Sequence, residues 1–105
     1  MITTTSESIA NHEIEETLGI VSGNVVQSKH IGRDTMATIK SLFGGELRGY
    51  TEMMNEARER ALSRMSFEAK QLGADAVINV RFTSSAIITG ASEVMAYGTA
   101  VKFRT

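Results

Sequence analysis

The chain has no cysteine, no proline, no tryptophan and only two histidines among its 105 residues. Without cysteine there are no disulfides, no thiol catalysis, no thiolate zinc site and no iron–sulfur cluster. Two histidines leave little imidazole for a metal site or for general base chemistry. Charge of one sign is also missing. Eleven basic residues against twelve acidic ones leave a net charge of −1, so no overall field attracts nucleic acid or an anionic membrane. No apolar run approaches the roughly 20 residues that span a bilayer. The start, Met1 to Glu7, lacks the basic and apolar regions of a secretory signal. The expected location is therefore cytoplasmic, with no nucleic-acid or membrane partner.

What is present is ordinary globular composition: 42% hydrophobic and 22% charged residues. The length suits one domain, residues 1–105. A domain of this size buries only about two-thirds of its unfolded surface, and pairing with copies of itself buries more.

Residues 1–12 are polar apart from Ile2 and Ile9, with Thr3, Thr4 and Thr5 favouring a short extended segment. Ile14 to Ser28 is β-rich. Leu18 and Ile20 are expected on one face, Val21 and Val25 on the other, with Gly19 and Gly23 marking a bulge or a close backbone approach. A strand apolar on both faces needs two covers, and the second is expected from another subunit.

A connector follows. Asp34 is a plausible N-cap for a short helix carrying Met36, Ile39, Leu42 and Phe43, which Gly44-Gly45 stops. The clearest element runs from about Tyr50 to Leu72. Met53, Met54, Ala57, Ala61, Met65, Ala69 and Leu72 recur at helical spacing, and Gly73 supplies a C-cap. Glu56 with Arg60 and Arg64 with Glu68 stand four apart, as ion pairs do on a helix.

Two strands close the chain. In the first, Ala76, Ile78, Val80 and Phe82 are expected to point one way, and Val77, Asn79, Arg81 and Thr83 the other. Ser84 to Ser92 reads as a loop or loosely paired hairpin around Gly90. The last strand, about Glu93 to Phe103, has Met95, Tyr97, Thr99, Val101 and Phe103 on one face. Val94, Ala96, Gly98 and Ala100 form a small-residue face suited to a close neighbour. The expected class is α+β: two layers, β-α-β-β, with an antiparallel sheet, one long helix and a short helix in the first connection.

Chemistry-bearing groups are few. Gly44 to Thr51 falls short of a phosphate-binding P-loop, since Tyr50 replaces the lysine and no strand precedes it; a helix–helix turn is the plainer reading. His12 lies among Glu13, Glu15 and Glu16. These are candidate ligands for Zn²⁺ or Ni²⁺, set against the plainer reading of a solvated strand edge. His30 near Asp34 reads as a surface-loop histidine. Met36, Met53, Met54, Met65 and Met95 read as core filler before thioether ligands. Arg81, mid-strand, calls for a carboxylate, with Glu46 and Glu93 as candidates. Glu46, Arg58 and Arg81 are the residues available to an enzyme site assembled at a subunit junction. No catalytic, cofactor or metal residue is assigned, and the chain is read as a non-enzyme.

Several segments together resemble the YbjQ-like family, whose members are filed as heavy-metal-binding proteins. They are Ser28, Gly32-Arg33, Gly44-Gly45-Glu46, Tyr50, Ala57-Arg58, Ala61, Leu72 to Phe82, and Glu93 to Val101. The resemblance spans nearly the whole chain. It implies a dodecin-like β-α-β-β subunit and a cyclic homo-oligomer, a pentamer or two stacked rings making a decamer. The resemblance implies no known activity; a divalent metal is the one cofactor its label suggests, and neither histidine falls in the matching segments. The expectation is a ring-forming binding or structural protein, with metal binding or sensing as the alternative and a junctional enzyme after it.

Overall fold

A computed structural model describes residues 1–28, 47–88 and 91–105. Its elements are β1 (Ile2–Thr3), β2 (Ile14–Ser28), α1 (Leu47–Gln71), β3 (Ala76–Ile88) and β4 (Ala91–Phe103). The class is α+β, as expected. The expected short helix from Asp34 to Phe43 with its Gly44-Gly45 stop, and also His30, Glu46 and Gly90, lie outside the described residues.

The sheet order is β1-β3-β4-β2. β4 is central and pairs antiparallel with both long strands, while β1 pairs parallel with β3. The sheet is therefore mixed, where an antiparallel one was expected. The two-residue terminal strand makes the difference. Of the two expectations for Ser84 to Ser92, a loop or a loosely paired hairpin, the described residues follow the hairpin: Ser84, Ser85 and Ala86 pair with Val94, Glu93 and Ser92.

Helix α1 lies along β2, touches β4 less and β3 least. Ala57, Ala61, Met65 and Ala69 are fully buried and stand four apart, one stripe along the helix. They meet Val21 and Val25 of β2, Val77 and Val80 of β3, and Val94, Ala96 and Ala100 of β4. Small side chains on both layers bring the backbones close. The Cβ of any residue at Gly23 would overlap the Ala61 carbonyl oxygen and the Met65 amide. The small-residue face of β4, expected against a neighbouring subunit, is thus covered by the chain's own helix. The helix ends in a Schellman arrangement: Ala74 N–H donates to the Ala69 carbonyl at 3.1 Å and Gly73 N–H to Lys70 at 3.0 Å, with Gly73 at φ +80°.

Two bulges reset the faces. Between Ile78 and Arg81 the register slips, so Asn79 and Val80 stand opposite Gly98 alone, and Asn79 adopts φ 53°. Ala76 and Ile78 therefore lie on the face away from the helix, whereas Val80 joins Val77 beneath it. The simple alternation expected for Ala76 to Thr83 fails at this bulge. A second slip between Thr17 and Gly19 turns Leu18 toward the helix-side core, with Val21 and Val25, and leaves Ile20 80% exposed opposite them.

The far face has its own small core. Ile9 covers Ala76, Ile78 and Val101, together with Ile14 and Phe103. This cover comes from the N-terminal segment, where Thr4 N–H donates to Val77 and Asn79 N–H donates to Ser6. Asp75 ties the sheet end: its Oδ2 accepts the Phe103 N–H at 2.8 Å. Among the described residues none beyond this cluster covers the far face. The whole measures 56 × 22 × 15 Å, with a radius of gyration of 17.2 Å. A compact chain of about this length has a radius near 13 Å.

Candidate functional site

His12 follows Asn11, which takes φ 66°, in a turn closed by His12 N–H donating to the Ile9 carbonyl at 3.2 Å. Its ring stacks on Phe103, centroids 4.1 Å apart and planes at 17°. The neighbouring carboxylate is engaged, since Glu13 Oε1 pairs with Arg104 at 3.3 Å. Glu16 stands opposite Lys102 in the β2–β4 register. Among the described residues no three His, Asp or Glu side chains converge as a metal site would need. A heavy-metal site does not fit these residues. There is no thiolate, one imidazole packs as an aromatic, and the carboxylate beside it neutralises an arginine.

The methionines among the described residues do not converge either. Met65 is fully buried and Met54 packs against the same core, while Met95 belongs to the opposite side of β4. Core filling is the role of the first two, as read from their spacing.

Among the described residues Arg81 finds no carboxylate. Its Nη1 donates to the Thr5 carbonyl at 3.0 Å and to the Val80 carbonyl at 2.9 Å. Glu93, one expected partner, instead accepts from Asn24 Nδ2 at 3.3 Å. Arg64 turns away from Glu68 and donates to the Asn24 carbonyl on β2, tying helix to strand. Among the described residues the one ion pair is Arg104–Glu13, so neither Glu56–Arg60 nor Arg64–Glu68 closes. Arg58 donates to Asn55 Oδ1 within the helix. It stands on the helix side of the sheet, and Arg81, in register with Tyr97, belongs to the far side. A single chain therefore does not bring Arg58 and Arg81 into one site.

Because α1 sits over β2, the helix side of β3 is left partly open. Two adjoining hollows run along this gap and share Phe82. One, of about 200 Å³, is lined by Thr3, Thr4, Thr5, Leu62, Val80 and Phe82. The other, about 60 Å³, is lined by Arg58, Phe82, Thr83, Ser84 and Val94. Reading Phe82 as the partner of Ile78 on one face hid this cleft. The signal available in the sequence was Asn79, a residue that tolerates positive φ inside a strand.

Residues 1–104 match the family model described as "Putative heavy-metal-binding", YbjQ. The chain belongs to that family. It is 63% identical over 102 residues to a UPF0145 protein of Photobacterium profundum, covering 97% of this chain and 99% of that one. A UPF0145 protein of Thermosipho africanus is 60% identical over 104 residues, 99% of this chain and 96% of the other. Among solved structures, a protein of unknown function from Pediococcus pentosaceus, assigned to the DUF74 family, superposes with a TM-score of 0.63. That likeness covers 99% of this chain and 98% of the other at 16% identity, and it speaks for the fold alone. Membership of the YbjQ family brings the heavy-metal description with it, but the described residues offer no ligand set to match. No helix among them is long and apolar enough to cross a membrane.

Proposed function

We propose that this YbjQ-family chain is a non-catalytic subunit of a cyclic homo-oligomer that serves as a binding or structural protein in the cytoplasm. The observation that carries the reading is the outer part of the far sheet face, which no other described residue covers. Past the Ile9 cover, Ile20 is 80% exposed and Val26 59%, with Tyr97 also open beside them. Strand β2, fifteen residues long, has no partner on its outer edge within the described sheet. A long unpaired edge flanked by exposed aliphatic side chains is a liability that a second copy removes. The extended shape agrees, because a sheet this long and thin leaves much apolar surface for a neighbour to cover. The ring of five, or two such rings, is what the family resemblance implies.

Heavy-metal binding is the second reading, favoured by the family description. His12, Glu13, Glu15 and Glu16 are the residues that would answer to it. The stacking of His12 and the pairing of Glu13 weigh against them. Light scattering coupled to size exclusion tests the first reading, and a stable monomer at micromolar concentration would refute it.

A further inference from the structure

We infer that the cleft between α1 and β3 binds a small organic anion with an apolar body. Arg58 and Leu62 stand one helical turn apart and both line the cleft, facing Phe82 across it. Phe82 is 42% exposed although its in-register partner Ala96 is fully buried. Leu62 and Val80 extend the apolar wall, and the Thr3–Thr5 segment closes the far end.

The charged end is set by Arg58. Its side chain is half-buried, it donates to the neutral Asn55 amide oxygen, and among the described residues no carboxylate lies within ion-pair distance. A guanidinium presents five donors in a fork that matches a carboxylate or phosphate. Ser84, on the helix side of β3 opposite Val94, adds a hydroxyl beside it. Charge-assisted hydrogen bonds of this kind are about twice as strong as neutral ones. The smaller hollow, at Arg58, suits the anionic head, and the larger one, at Leu62, Val80 and Phe82, suits an aliphatic or aromatic body. A neutral polar ligand would leave the guanidinium unmatched, and a bare inorganic anion would leave the apolar wall wet.

The test uses octanoate as the anionic probe and 1-octanol as its uncharged counterpart, titrated into the full-length protein by calorimetry and by amide chemical shifts. Saturable octanoate binding is expected, with the shifts centred on Phe82 and Ser84. Arg58→Gln should weaken octanoate by at least about tenfold and leave octanol unchanged. Phe82→Ala should weaken both. Octanoate affinity indifferent to Arg58→Gln, shifts centred away from the cleft, or no saturation by wild type overturns the inference. Arg58→Gln should also keep the particle mass of wild type in light scattering, so a failed cleft and a failed assembly are read separately.

Discussion

Gly23 on β2 and Ala61 on α1 touch backbone to backbone. A methyl group at Gly23 would occupy the space of the Ala61 carbonyl oxygen and crowd the Met65 amide. Gly23→Ala therefore pushes the helix off the sheet or bends the strand. The expected cost is about 1–3 kcal/mol, the usual range for overpacking. Urea unfolding measures it, and an unchanged midpoint would mean that the two layers are not in this contact.

Asn79 sets which side chains of β3 face the helix. Its φ of 53° is available to Asn and Gly and strained for a β-branched residue. Asn79→Gly should leave stability within a few tenths of a kcal/mol, whereas Asn79→Val should cost about 1–3 kcal/mol. Thermal unfolding of the pair decides it. Equal melting temperatures for the two variants would remove the bulge from the explanation.

Much of this fold is legible in the sequence. The bounds of β2 and the stripe Ala57, Ala61, Met65, Ala69 follow from β-propensity and from helical spacing, which are local properties. Gly23 was readable as a close approach because a glycine inside an apolar strand has few other uses. The faces of β3 were not readable, since alternation assumes an unbroken ladder and the slip at Asn79 opposite Gly98 is a property of two strands at once. The same holds for the Ile9 cover. One isoleucine in a polar stretch gives no sign of the distant Ala76 and Val101 it packs on. The site was the least legible part. The backbone carbonyls of Thr5 and Val80 that Arg81 meets cannot be seen as partners in a sequence, and the cleft depends on where the helix lies across the sheet.

Among the described residues, heavy-metal affinity would have to pass through His12, whose imidazole is the one they contain. Its stacking on Phe103 and the Arg104–Glu13 pair predict that Zn²⁺ or Ni²⁺ gives no saturable heat dependent on this residue. Calorimetry on wild type and His12→Ala checks it. Tight binding lost in His12→Ala would restore the metal reading and displace the non-metal one.

Ile20 and Val26 lie on the same bare face of β2, in register with Thr99 and Glu93. Two glutamates there, Ile20→Glu with Val26→Glu, should dissociate the assembly while leaving the helix-side core intact. Far-ultraviolet circular dichroism would then match wild type as the particle mass falls. A variant that keeps its full mass would move the interface elsewhere on the molecule.

The most direct measurement is the wild-type particle mass in solution by light scattering at tens of micromolar protein. Self-association through the far sheet face predicts a whole-number multiple of the 11.4 kDa chain, fivefold or tenfold for the ring. A single species of 11.4 kDa would contradict it.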